Sequence, residues 1–255
     1  MKIAVCGKGG SGKSTVVALM ANVLPKRGYE VWVVDSDESN PGLYRLLGLE
    51  RRPQPLLELV GGKKRVFQTF AENSAPSPSV LTQDQIRTQD LPSQYVVGRD
   101  HVRLVCVGKI LQSLEGCACP MGALSREFLK RLSLQENQLV LVDTEAGIEH
   151  FGRGVESSVD AVLAVTEPSL DSLELAAKIS ALAAQVGIEK VQAVLNKVTS
   201  EEMAARLREE LQHRDVPVIG CIAADAEVAQ AGLEGRPIRS SRAEAEIEGL
   251  LAQLL

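Results

Sequence analysis

No run of apolar residues in this 255-residue chain approaches the roughly 18 that a membrane-spanning helix needs, so no membrane span and no membrane partner are expected. Positive charge is not in excess either. Lys and Arg total 28 against 33 Asp and Glu, a net charge of −5, which gives no support to a nucleic-acid-binding surface. The first residues are one lysine, a short apolar stretch and then glycines, which is not the pattern of a secretory leader. Cysteines are few and odd in number, five in all, with no regular framework. A disulfide scaffold is therefore not expected, and a reduced, cytoplasmic protein is. The chain has no internal repeat. Its 45% hydrophobic and 24% charged residues are those of an ordinary globular protein, long enough to bury one large core.

What the chain does have is alternation. The segments KIAVC (2–6), EVWVVDSD (30–37), VRLVCVG (102–108), QLVLVDTEAG (138–147), AVLAVTEP (161–168), VQAVLNKV (191–198) and VPVIGCIA (216–223) read as buried strands. Helices are expected over 13–28, ended by Gly28, over 169–187, and in the C-terminal RAEAEIEGLLAQLL. Continuous β-branched runs separated by helices predict an α/β fold: a mostly parallel sheet flanked by helices on both faces, as one domain over 1–255. Residues 61–100, with the Pro/Ser-rich ENSAPSPS, read as an irregular insertion lying over the sheet, and 106–122 as a distinct cysteine-bearing region.

The chemistry concentrates in the first turn. Residues 7–14 read Gly-Lys-Gly-Gly-Ser-Gly-Lys-Ser, a G-x-x-x-x-G-K-[ST] match directly after a strand and before a helix. Glycines let backbone N–H groups curl around phosphate oxygens, and the helix N-terminus adds partial positive charge. Gly7, Gly9, Gly10, Ser11, Gly12, Lys13, Ser14 and Thr15 are thus the candidate nucleotide cradle, with Lys13 reaching the terminal phosphates and the Ser14 hydroxyl suited to Mg²⁺. A bare glycine turn without ligand is the competing reading. Asp35 and Asp37 end the second strand, and Asp143 ends LVLVD. A strand-end carboxylate such as Asp143 can hold a Mg²⁺-bound water; a lone one is often only a helix cap, but here three share one sheet edge.

Lys8, second in the loop, gives Lys-Gly-Gly-x-Gly-Lys-Ser. This resembles the deviant P-loop family of dimeric ATPases that includes MinD, ParA, the nitrogenase iron protein and the arsenite-pump ATPase. The resemblance implies that Lys8 reaches across a two-fold interface to the partner's nucleotide, so that an ATP-dependent homodimer closes around two ATP molecules; otherwise Lys8 is a solvated loop lysine. It assigns Asp37 to orienting the attacking water, Asp35 to the Mg²⁺ shell and Gly147 to a switch loop sensing the γ-phosphate. Phosphoryl transfer then depends on positioning and charge neutralisation, with Lys8, Lys13, Asp37 and Asp143 as the catalytic set.

Asn196-Lys197-Val198-Thr199 marks the base site. Guanine-specific relatives carry an Asp where Thr199 stands, so adenine is favoured, with Asn196 as its polar contact beside Lys197. DAEVAQAGLEGRPI (225–238) resembles the stretch that closes the base pocket in this family.

Cys117 and Cys119 form a Cys-x-Cys pair, half of a soft tetrahedral site. Cys6, Cys106 and Cys221 lie in or at the ends of strands and read as small buried hydrophobes, and His101, His150 and His213 show no ligand spacing with the pair. A two-fold axis would set the pair against its own copy, four sulfurs around one Zn²⁺, Ni²⁺ or an iron–sulfur cluster such as 4Fe–4S. Two exposed thiols or an occasional disulfide is the alternative.

Together, the deviant loop, the Cys-x-Cys pair, DTEAGIEHFGRG and TEPSLDSL resemble CooC-type ATPases over nearly the whole chain, weakest across 50–100. This implies a nucleotide-gated metallochaperone that assists nickel insertion into carbon monoxide dehydrogenase. The chain has no polyhistidine tail, so storage of many nickel ions is not expected. Two other readings stay open. A ParA- or MinD-like positioning ATPase would need a basic C-terminal helix or DNA-binding surface, whereas this helix carries three acids against one arginine. An electron donor like the nitrogenase iron protein would take its cluster cysteines from two separate segments.

Overall fold

The computed structural model describes residues 1–72, 81, 83–108 and 119–255. In chain order its elements are β1 (Lys2–Gly7), α1 (Lys13–Val23), β2 (Glu30–Asp35), α2 (Leu43–Leu46), α3 (Leu56–Leu59), α4 (Gly62–Glu72), β3 (Ile86–Arg87), β4 (Val97–Arg99), β5 (Val102–Cys106), α5 (Cys119–Arg131), β6 (Leu132–Ser133) and β7 (Gln138–Asp143). They continue with α6 (Glu149–Gly152), β8 (Ala161–Thr166), α7 (Leu170–Gln185), β9 (Val191–Val198), α8 (Glu201–Gln212), β10 (Val218–Ala223), α9 (Ala226–Glu234) and α10 (Ser241–Leu254).

Eight strands make one sheet in the order β10-β9-β8-β1-β7-β2-β5-β4. Every pairing is parallel except β4 against β5. The α/β expectation therefore holds, and the parallel ladders explain the apolar runs: β1, β2, β7 and β8 are buried on both faces. One face packs Trp32, Met121, Leu124 and Phe128. The other packs α1 and the apolar side of α10, including Ile247, Leu250 and Leu254. The C-terminal ends of the parallel strands gather at one edge, where open α/β sheets bind their ligands.

The boundaries differ from expectation where local chemistry intervenes. The helix expected over 13–28 ends at Val23; a 3₁₀ turn over Leu24–Arg27 carries Pro25, and Gly28 closes it with φ of 86°. The second strand stops at Asp35, and the seventh at Asp143, short of the 37 and 147 expected. Past β2 the chain turns at Asp37, whose Oδ1 accepts from Ser39 N and Asn40 N; past β7, Thr144 Oγ1 donates to the Val5 carbonyl. Residues 61–100 are not irregular throughout. They contain α4, anchored by the buried Val66, and the antiparallel edge strand β4. Residues 109–118, and with them Cys117, lie outside the described residues; Cys119 is the first residue of α5.

Candidate functional site

β1 delivers the glycine loop to the centre of the sheet edge. Gly7 sits so close to β8 that a Cβ there would meet the Val165 carbonyl oxygen at 2.5 Å. Gly12, with φ of 99°, precedes α1, and a Cβ there would meet Asn196 Nδ2 at 2.2 Å. Only glycine satisfies both the backbone conformation and the space. Asn196, at the end of β9, donates from Nδ2 to the Ser11 carbonyl at 2.7 Å. Lys197 donates to the Gly10 carbonyl and pairs with Glu167 at 3.1 Å. Lys197 is itself left-handed, with φ of 60°, a conformation that non-glycine residues adopt at a cost of about 1 kcal/mol. The two residues expected at the base brace the loop from behind.

The acids meet the loop from the other side. Asp35 and Asp143 are directly paired across β2 and β7. Ser14 Oγ donates to Asp143 Oδ2 at 2.6 Å and accepts from Asn40 Nδ2 at 2.9 Å. Asp143 is fully buried, and burial, reinforced by the Asp35 charge, pushes its carboxyl up to about 7. Its Oδ1 has no hydrogen-bond partner among the described residues. A buried carboxylate oxygen without a donor is unfavourable, and a cation-bound water is a partner that fits it. Asp37 lies past the strand, where its Oδ1 accepts from Ser39 N at 2.8 Å, Ser39 Oγ at 2.6 Å and Asn40 N at 3.2 Å. This turn, and not the strand, aims Asp37 into the cleft.

A cleft of about 460 Å³ joins these parts. Gly9, Gly10, Gly12, Lys13, Ser14 and Thr15 form one wall, Asp37, Ser39, Asn40 and Arg45 another, and Gly232 and Gly235 the far end. The far end falls within 225–238. Lys13 is buried, with Nζ 3.5 Å from the Lys8 carbonyl. Gly147, with φ of 91°, donates its N–H to the Gly7 carbonyl at 3.2 Å, joining segment 144–147 to the glycine loop through main chain. Behind it His150 is buried, Nε2 lying 3.1 Å from the Gly147 carbonyl oxygen.

Lys8 is turned along the surface toward α7. Its Nζ lies 3.3 Å from Asp171 and 3.8 Å from Glu167 of the same chain. Cys6 and Cys106 are buried in strands as expected, while Cys221 is half-exposed. Among the described residues no three His, Cys, Asp or Glu side chains gather into a metal-binding group. Sequence reasoning missed Asn40, Arg45 and an acid pair, Glu38 and Glu145. Glu38 follows Asp37; burial and the neighbouring Glu145 push its carboxyl up to about 8. The only sequence signal for these residues is their nearness to the strand-end aspartates.

Comparison with known proteins agrees with this geometry. Residues 2–238 match the family model described as the CobQ/CobB/MinD/ParA nucleotide binding domain. An uncharacterized ATP-binding protein of Methanocaldococcus jannaschii is 41% identical over 244 residues, covering 96% of each chain. The carbon monoxide dehydrogenase accessory protein CooC of Rhodospirillum rubrum is 36% identical over 204 residues, 78% of this chain and 75% of that one. Among solved structures, the septum site-determining protein MinD of Pyrococcus horikoshii, in complex with Mg-ADP, superposes with a TM-score of 0.72 at 18% identity, covering 99% of this chain and 95% of that one. At that identity the likeness speaks for the fold alone. Among the described residues no helix is long and apolar enough to cross a membrane.

Proposed function

Because the chain belongs to the CobQ/CobB/MinD/ParA nucleotide-binding family of ATPases, we propose that its cleft hydrolyses ATP to time the delivery of a soft metal ion, nickel or zinc, to a metalloenzyme. The client class is carbon monoxide dehydrogenase or an enzyme like it. The observation that carries this reading is the 36% identity to an accessory protein of that enzyme in a chain that has both Lys8 and the Cys117/Cys119 pair. The metal is cargo, bound between two copies of the chain by both cysteine pairs.

In this reading the loop from Gly7 to Thr15 holds the phosphates, Lys13 neutralises the terminal ones and Asn196 and Lys197 fix the loop and the adenine end. Ser14 and Asp35 would hold Mg²⁺, with Asp143 on its water. The ion supplies charge neutralisation at the phosphates when bound. Asp37 orients the attacking water, and Lys8 of each copy completes the opposite site. A MinD-like positioning role has the same family behind it. The apolar side of α10, however, is packed into the core through Ala243, Ile247, Leu250, Leu251 and Leu254, which is not the arrangement of a surface-seeking amphipathic helix.

The test is metal analysis of anaerobically purified protein, with sizing in ADP and in a non-hydrolysable ATP analogue with Mg²⁺. About one metal ion per dimer, and pairing only with the analogue, is expected. Protein that stays monomeric with the analogue and takes up no soft cation would overturn the reading.

A further inference from the structure

Two segments bring an aspartate beside the glycine loop and its helix, and each carries a glutamate just beyond it: Asp37-Glu38 and Asp143-Thr144-Glu145. Neither glutamate lines the cleft, and both converge on one guanidinium. Arg153 Nη1 donates to Glu145 Oε1 and lies 3.4 Å from Glu38 Oε1. The group is shielded from water, with side-chain exposures of 8% for Glu38, 16% for Glu145 and 21% for Arg153. A guanidinium so placed follows the acid groups it bonds, because a shielded charge that loses its partner is strongly unfavourable.

The other side of Arg153 lies on α5. Its aliphatic stem covers Gly122, where an added Cβ would stand 2.4 Å from Arg153 Cδ and 3.0 Å from Arg153 Cβ. Arg126, one turn further along α5, donates to the Arg153 carbonyl at 3.1 Å. A second tie is independent of Arg153. Ser36, between Asp35 and Asp37, shares a 2.6 Å hydrogen bond with the buried Ser125 of α5. The first two turns of α5 are therefore joined to both acidic loops, and α5 begins at Cys119.

The geometry points to Arg153 as a positioning residue that couples the nucleotide loops to the head of α5, and so makes soft-metal affinity depend on which nucleotide is bound. The metal half of this inference rests on the proposed delivery function; the coupling itself does not. Close-packed side chains pass on a displacement that a looser contact would absorb. When loops 36–38 and 144–147 change between the diphosphate and triphosphate states, Glu38 and Glu145 shift Arg153. Arg153 in turn shifts the turn of α5 built on Gly122.

Hydrogen exchange of the α5 amides, in ADP and in a non-hydrolysable ATP analogue with Mg²⁺, reads the coupling directly. Zn²⁺ affinity measured in the same two states reads its consequence. In the unaltered protein both quantities are expected to differ by at least about fivefold between nucleotides. Arg153→Met keeps the stem over Gly122 and removes the charge. It should erase both differences while leaving analogue affinity within about twofold, and Arg153→Lys should restore part of them. Gly122→Ala, which displaces the stem and keeps the charge, guards against a folding defect in the first variant and should shrink both differences in the same way. Differences that persist in Arg153→Met and Gly122→Ala, or that are absent from the unaltered protein, overturn the coupling. Nucleotide-dependent exchange in α5 without Zn²⁺ binding would sink the delivery reading and leave the role of Arg153 standing.

Discussion

Lys8 Nζ stands 3.3 Å from a carboxylate oxygen of Asp171 in its own chain. Both side chains are solvent-exposed, at 36% and 77%, so the pair contributes under about 1 kcal/mol and is easily exchanged for a stronger anion. A partner's triphosphate is such an anion. Lys8→Ala should leave the monomer's melting temperature unchanged and abolish analogue-driven dimerisation. Asp171→Asn should lower the analogue concentration needed for dimerisation, by up to about fivefold. Sedimentation velocity across an analogue titration checks both, and a Lys8→Ala protein that dimerises normally removes the trans role.

Asn196 and Gly12 meet at the back of the loop, and each can be changed alone. Asn196→Ala deletes the hydrogen bond to the Ser11 carbonyl and should weaken ATP binding about tenfold, as expected for a lost bond of 1–2 kcal/mol. Gly12→Ala meets both a left-handed backbone and a 2.2 Å contact with Asn196 Nδ2. It should abolish binding in calorimetry with the fold intact by circular dichroism. Binding that survives Gly12→Ala would mean that the loop holds nucleotide in another conformation.

Asp143 and Glu38 make the nucleotide-free protein sensitive to pH. Their carboxyls are raised from 3.8 and 4.5 to about 7 and about 8. The folded chain therefore holds protons more tightly than the unfolded one in that range. The associated stability is fully present below the unfolded values and is lost as pH rises from about 4 to about 8. Melting should thus be higher at about pH 5.5 than at about pH 8. Asp143→Asn should raise the melting temperature by several degrees at about pH 8 and change it little at about pH 4.5. A gain that is equal at both values would show that the charge of Asp143 is not the cause.

Replacing Cys117 and Cys119 together by alanine should reduce bound metal from about one ion per dimer to none, read by elemental analysis, with ATP binding unchanged. Undiminished metal would point to Cys221, the one half-exposed thiol among the described cysteine side chains.

The sheet and the cradle were legible in the sequence because both are local signals. Val and Ile runs define buried strands, and Gly7, Gly12 and Lys13 occur in one uninterrupted motif. Strand ends were less legible. Asp37 looks like the last residue of a strand, but Ser39 and Asn40 donate to it and turn the chain first. The helix at 62–72 was hidden by its charge: Lys63, Lys64 and Arg65 precede the buried Val66. Arg45 has only its nearness to the strand-end aspartates as a signal, and Arg153, although it lies within DTEAGIEHFGRG, carries no local mark of its role. Their roles arise where distant segments meet: Arg45 on the cleft wall opposite Lys13, Arg153 between Glu38, Glu145 and Gly122.

The bridge from Gly147 N–H to the Gly7 carbonyl contains no side chain. Contacts made by side chains drift as residues are exchanged; this one changes only if the chain takes another path. The chain can therefore diverge at Ile148 or Glu149 without detaching segment 144–147 from the glycine loop. Relatives could keep this one linkage between the two segments while the side chains around it change freely.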